Sequence, residues 1–290
     1  MQGILLLATA LAMNDVAQRA AALPRCFAES VQKFGLHAAC PRGCPDVFEN
    51  GELHLCPPIE AGFVHIFKSA GTSLGVAFRQ LCDTYFGPNT AVVQCNGGPT
   101  CDPIAWETRR YRFFSFTRDV KERFLSAMYE VDRHSGLKHT AAPAAPAAFI
   151  RHVLHDVMDS SLSDAHFDPQ VAFLVQGGAI VPRLTHLGRV EHLETDMVTI
   201  ATELFNATPA TTVAADTRRA LADRYRDRHD ANYSGSRGVA ALRVEDMDSA
   251  TRAAMRRAFL VDVRCLAAEP PSRTTTGHLQ VHATRPHSGH

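Results

Sequence analysis

The sequence predicts an α/β fold with a mainly parallel sheet covered by helices on both faces. Three strand-then-helix alternations carry that prediction. Phe63, Val64, Ile66 and Phe67 form a nearly unbroken apolar run, as in a strand buried on both faces, and from Thr72 the pattern turns helical, with Leu74, Phe78 and Leu81 on one face. Tyr111–Thr117, rich in aromatic and hydroxyl residues, reads as a second strand, and Val120, Phe124, Leu125 and Met128 mark the helix after it. A third strand falls within Ile180–Leu187, followed by a helix carrying Leu193, Met197, Ile200 and Leu204.

The first two alternations hold basic residues where the strand ends. Lys68, Ser69, Ala70, Gly71, Thr72 and Ser73 span the first junction, where a helix presents backbone N–H groups that lack internal partners. Lys68 adds a cation, and Thr72 and Ser73 add hydroxyls, so the segment reads as a seat for a phosphate or sulfonate. The triphosphate loop GxxxxGK[ST] does not fit, because this lysine precedes the glycine and the loop is too short. Taken alone, the segment also fits a βα unit with an incidental lysine.

At the second junction Arg118 ends the strand, and Asp119 and Glu122 have the spacing of a capping box. Ser126 follows Arg118 by eight residues, so a guanidinium and a hydroxyl can face the same side of the sheet. The alternative leaves Arg118 and Arg123 as solvated charges around a structural helix. Both junctions lie at strand carboxyl ends, where open α/β sheets bind their ligands.

The remaining chain sets limits. Its 290 residues carry 30 basic and 30 acidic side chains, a balance with no electrostatic footprint for nucleic acid or an acidic membrane. Of its eight cysteines, Cys26, Cys40, Cys44, Cys56, Cys82, Cys95 and Cys101 precede Asp102, and Cys265 comes late; the spacings favour disulfides over zinc. Sequons at Asn206 and Asn232 are compatible with a secretory route. Ile4–Met13 is apolar but about half the length of a membrane span, and fits a truncated anchor, a poor signal sequence or a first helix.

Residues 1–60 read as a Cys-rich stem or capping segment, 61–268 as the main domain, which the resemblance given below makes the catalytic one, and 269–290 as a disordered tail. Gly87–Pro103 reads as a loop pinned by Cys95 and Cys101, and Thr140–Ala148 as a flexible one. Further helices are expected at Phe149–Asp159, Asp216–Arg228 and Glu245–Phe259, with a polar turn at Ala165–Gln170.

Taken together, the segments resemble the Golgi-type carbohydrate sulfotransferase family. HIFKSAGTSL at 65–74 resembles its 5′-phosphosulfate loop, usually close to HIPKTGGTSL, and FTRDVKERFLS at 116–126 is similar to its 3′-phosphate motif FxRDPxxRxxS. HFDPQ at 166–170 and LGRVEHLETDM at 187–197 look like its HWxPQ and GRxExLxxD segments.

The resemblance implies a three-layer P-loop-type fold and 3′-phosphoadenylyl sulfate (PAPS) as donor, with no metal. Lys68, Ser69, Ala70, Gly71, Thr72 and Ser73 would then hold the 5′-phosphosulfate, and Arg118 and Ser126 the 3′-phosphate. It further implies a glycan hydroxyl as acceptor, residence in the Golgi lumen and catalysis by Lys68. His166 is the first candidate for the general base, and equally fits a structural place in its turn. His65 reads as a packed core residue and Glu191 as a cap of the following helix, while Arg189 is left facing either donor or acceptor. Phe67, Ala70 and Val120 depart from the family's usual proline, glycine and proline; Ala70 would crowd the loop if that position needs positive φ. The competing functions are a nonenzymatic nucleotide- or glycan-binding protein and a P-loop kinase-like phosphotransferase.

Overall fold

In the computed structural model, residues 2–41, 52–94, 110–135, 145–162, 164–230 and 242–266 are described, and they form an α/β fold around a five-stranded mixed sheet. In chain order the elements are α1 (Gln2–Phe34), β1 (Glu52–Cys56), β2 (Ala61–His65), α2 (Gly71–Phe86), β3 (Val92–Gln94), β4 (Arg112–Thr117), α3 (Val120–Ser135) and α4 (Pro146–Met158). There follow a small hairpin of β5 (Val175–Gln176) and β6 (Ala179–Ile180), then β7 (Leu184–Arg189), α5 (Leu193–Leu204), α6 (Ala210–Asp230), α7 (Ser249–Ala258) and α8 (Leu260–Cys265).

The sheet order is β3-β1-β2-β4-β7. β2, β4 and β7 run parallel, as the alternation predicts, but β1 is antiparallel to both β2 and β3. The expectation of a mainly parallel sheet is therefore corrected to a partly parallel one. The cause is local. Only four residues, Pro57–Glu60, separate β1 from β2, and Glu60 turns the chain in a left-handed conformation at φ 48°. A parallel return needs a crossover of a dozen residues or more, so so short a link forces a hairpin.

The expected third strand is β7, which begins only at Leu184. Pro182 supplies no N–H to a ladder and Arg183 is left-handed at φ 63°, so β6 and β7 join different sheets.

Period-two alternation puts Phe113 and Phe114 on opposite faces of β4. On one face Leu53, Val64, Ile66, Phe113 and Leu187 pack with Leu23 and Phe27 of α1 and Val261 of α8. On the other, Phe63, Phe114 and Phe116 pack with Leu74, Phe78 and Leu81 of α2 and Met197 and Ile200 of α5. Phe124 and Met128 of α3 form a separate cluster with Ile150 and Leu154 of α4 and with Met255 and Phe259. The stretch before residue 60 thus contributes α1 and β1 to the same body as the rest.

Two disulfides bind that stretch in place, Cys26–Cys265 from α1 to α8 and Cys56–Cys82 from β1 to α2. Such bonds point to an oxidising, secretory or extracellular environment. Among the described residues no helix is long and apolar enough to cross a membrane; Ile4–Met13 lies in the first half of α1, whose side chains there are outside the description. Cys44, Cys95, Cys101, the Asn232 sequon, most of Thr140–Ala148 and the 269–290 tail also lie outside the described residues.

Candidate functional site at the parallel strand ends

β2 stops at His65, and the chain passes through Ile66–Ala70 before α2 begins at Gly71. Lys68 and Ala70 both take left-handed backbone conformations, at φ 63° and 59°. Ala70 is the residue that precedes α2, and it gives the helix no side-chain cap. The open first turn of α2 consequently faces the same loop that carries Lys68, with Thr72 exposed and Ser73 half-buried beside it. Uncapped N–H groups next to a lysine are a physical basis for holding an oxyanion. Gly71 is required for a different reason: a Cβ there would lie 1.6 Å from Cδ2 of His65.

The second junction meets the first. Arg118 Nη1 reaches the carbonyl oxygen of Lys68 at 3.5 Å, and Nη2 lies 3.4 Å from Glu122 Oε2. Gln170, fully buried, clamps both segments. Its Oε1 accepts from Ser69 Oγ at 3.0 Å and from the Arg118 N–H at 2.8 Å, while its Nε2 donates to the Arg118 carbonyl at 2.9 Å. The Gln170 and Val171 N–H groups in turn donate to the two carboxylate oxygens of buried Asp262, at 2.6 and 2.9 Å. Burial pushes the Asp262 carboxyl up from its ordinary range, with Arg123 opposing.

Arg123 is not a solvated charge. It is 2% exposed, donates through Nε to the Phe67 carbonyl at 2.9 Å and lies over the Phe173 ring. Burial lowers its pKa to about 10, against the pull of Asp262 and Asp168. The sequence held a signal for this. Arg123 stands three residues after Val120 and four before Ala127, on the buried stripe of α3.

Lys68 Nζ crosses to α3 and donates to Glu130 Oε2 at 2.7 Å. Glu130 lies four residues beyond Ser126, so the two share a helix face. Ser126 is half-buried there, while the Arg118 guanidinium is turned toward Lys68 and Glu122. Asp119 caps α3 as expected, accepting from the Lys121 and Glu122 N–H groups. Glu191 does something other than cap its own helix: its Oε1 accepts the Asp119 N–H at 2.6 Å and pins the Arg118–Asp119 corner from 72 residues away.

His166 lies stacked on Phe67, with ring centroids 4.9 Å apart. Phe67 also meets Phe173 and His65 edge-on, so it is an aromatic platform linking the loop to the Ala165–Gln170 turn. His166 Nδ1 is 2.6 Å from Asp164 Oδ1, which also accepts the His166 N–H at 2.8 Å. Assigning the ring proton to Nδ1, the nitrogen facing Asp164, leaves Nε2 as the basic atom. Asp164 is a partner that the sequence reading missed.

The LGRVEHLETDM segment acts mainly as scaffold. Asp196 accepts from the Arg189 N–H at 2.8 Å and from Arg19 Nη2 at 2.6 Å, and Arg19 Nε donates to the Leu187 carbonyl. His65 is a buried residue, as expected, and pairs with Glu52 at 2.8 Å. No family model, characterised protein or solved structure matches this chain.

Proposed function

We propose that the protein transfers a sulfuryl group from 3′-phosphoadenylyl sulfate to a hydroxyl of a carbohydrate acceptor. The observation that carries this reading is the contact of the Arg118 guanidinium with the Lys68 carbonyl, which brings the two strand–helix junctions together at parallel strand ends. A single phosphate needs one such junction. Two, joined by Gln170, suit a nucleotide with phosphates on both its 5′ and 3′ carbons.

On this reading Lys68, the first-turn N–H groups of α2, Thr72 and Ser73 hold the 5′-phosphosulfate, and Arg118 and Ser126 the 3′-phosphate. The loop fits an anion, since Ala70 gives α2 no side-chain cap and Glu130, the acidic group paired with Lys68 among the described residues, sits across on α3. The donor supplies an activated sulfuryl group; the protein's part is to align and neutralise. As the bond from sulfur to the phosphate oxygen breaks, Lys68 balances the charge left on that oxygen. As the bond from sulfur to the acceptor oxygen forms, His166 Nε2 takes the hydroxyl proton, with Asp164 holding the imidazole. The reading brings with it a P-loop-type assignment for the β2–α2 and β4–α3 units and residence in the Golgi lumen.

The test has two arms. Saturating 3′,5′-adenosine bisphosphate should raise the melting temperature, because a ligand bound only by the native state stabilises it. Labelled PAPS with a panel of glycans should then give a labelled acceptor. No thermal shift in folded protein rules against the nucleotide. A shift without transfer leaves a nonenzymatic nucleotide-binding protein, and phosphoryl transfer from ATP would establish the kinase-like alternative.

A further inference from the structure

Behind the anion loop lies a second cluster that the reading above does not use. Glu52 and His54 stand two apart on β1, so their side chains share a face, and His65 is the cross-strand partner of Glu52 on β2. Glu52 Oε1 is 2.9 Å from His54 Nε2, and Oε2 is 2.8 Å from His65 Nδ1. One ligand atom from each residue falls within 4.8 Å of the other two.

Two features separate this cluster from an ordinary buried ion pair. His54 is only 2% exposed, yet among the described residues its Nδ1 has no hydrogen-bond partner and its Nε2, though near Glu52, is out of line for a hydrogen bond. A satisfied histidine core would not leave both nitrogens so. The other feature is the helix above. Gly71 and Gly75 lie four apart on the face of α2 over the two imidazoles, and a Cβ at Gly75 would come 2.3 Å from His54 Nε2. Two glycines keep the space around the imidazole nitrogens clear of side chains.

We propose that Glu52, His54 and His65 form a binding site for a divalent first-row transition cation, best suited to zinc. Two imidazoles and one carboxylate are a donor set that zinc and its neighbours accept. Metal bonds of about 2.0–2.2 Å to each donor need the ligand atoms only a few ångströms apart. The present spacing meets that with small side-chain shifts. Glu52, at 31% side-chain exposure, gives the cation its way in, while the imidazoles are nearly closed off. The ion would tie β1 to β2 beneath the glycine face of α2 and brace the strand end from which the Lys68 loop departs. The site stands whether or not that loop takes a sulfonucleotide.

The experiment is calorimetric titration of the chelator-treated full chain with zinc chloride alone, with Co²⁺ as a spectroscopic probe. With 15 histidines in the chain, weak binding elsewhere is expected, so variants decide the location. Wild type should show one tight site and the visible absorption of four-coordinate Co²⁺. Glu52→Gln should weaken that site at least tenfold and lose the absorption, and His54→Gln should do the same. Asp159→Asn, which alters the exposed His155–Asp156–Asp159 cluster, should leave it unchanged. Because His54→Gln touches the core, circular dichroism accompanies each variant, and the half-exposed Glu52→Gln carries the decision. Unchanged tight binding in folded Glu52→Gln, loss in Asp159→Asn instead, or no saturable site in wild type would each overturn the proposal.

Discussion

Lys68 and Glu130 form an ion pair 2.7 Å long between the loop after β2 and the middle of α3, with each side chain 19% exposed. An anion entering the loop competes with Glu130 for the same ammonium. Glu130→Gln should therefore tighten 3′,5′-adenosine bisphosphate, by about 1 kcal/mol or less for a partly exposed pair. Lys68→Ala should abolish sulfuryl transfer while the circular dichroism spectrum stays native. Calorimetric affinity and turnover are the two measurements. Weaker binding in Glu130→Gln would mean that the carboxylate organises the site instead of competing for it.

Gln170 is where the site and the fold share a residue. Replacing it with leucine leaves the Ser69 hydroxyl and both backbone groups of Arg118 without their partner in the interior. Each unsatisfied buried group costs about 1–3 kcal/mol, so Gln170→Leu should lose about 3 kcal/mol or more in a denaturant titration and also lose nucleotide binding. Ser69→Ala removes one hydroxyl while the amide oxygen keeps the Arg118 N–H, and should cost only about 1 kcal/mol. Equal losses in the two variants would show that the clamp adds nothing beyond the serine bond.

This contrast marks how far the sequence was readable. β2–α2 and β4–α3 were legible because the apolar period changes from near-continuous to helical at Thr72 and at Asp119. β1 was not. Its five residues, ELHLC, carry a glutamate and a histidine inside a cysteine- and proline-rich stretch, and its antiparallel course follows from a four-residue link whose effect is geometric. Lys68–Ser73 fall at the turn from β2 into α2, where that change of period puts them. Gln170 and Glu191 are singled out in the sequence but their contacts are not, and Asp164 and Asp262 are missed, since the contacts of Gln170, Glu191 and Asp262 span 50 residues or more and that of Asp164 lies in a turn beside Phe67.

Ala70 holds φ 59°, a conformation that a Cβ disfavours by roughly 1–2 kcal/mol and that glycine takes freely. The family that the loop resembles carries glycine at this place. Ala70→Gly should raise the melting temperature of the free protein and leave nucleotide affinity equal or improved, read by differential scanning calorimetry and titration. A lower melting temperature would mean that the alanine methyl's packing outweighs its backbone cost.

His166 and Asp164 can be separated kinetically. If Nε2 is the base, His166→Ala should lower kcat by about 10²–10⁴-fold, the usual reach of general-base catalysis, with KM for both substrates little changed. Asp164→Asn keeps the turn's hydrogen bond to the His166 N–H but loses the charge that favours the Nδ1 proton, so it should show a smaller fall in kcat. Should His166→Ala instead raise KM and leave kcat intact, the ring's role would be stacking on Phe67, and the base would lie elsewhere.

The pH dependence of stability has a definite sign. The His54 and His65 imidazoles that face Glu52 hold its carboxyl well below the ordinary carboxylate range, and burial holds the His54 imidazole below its ordinary value. A depressed folded-state pKa means that the unfolded chain binds protons first on acidification. The Glu52 contribution is thus complete above its unfolded pKa near 4.3 and is lost as pH falls below it; the His54 contribution begins to fade lower than about 6.5. In chelator, so that no cation contributes, the denaturant midpoint should hold between pH 8 and 7, slip through the histidine range and fall steeply under about pH 4.5. Glu52→Gln should flatten the steep limb. A midpoint rising on acidification in this window would mean that the two groups are protonated in the folded protein already.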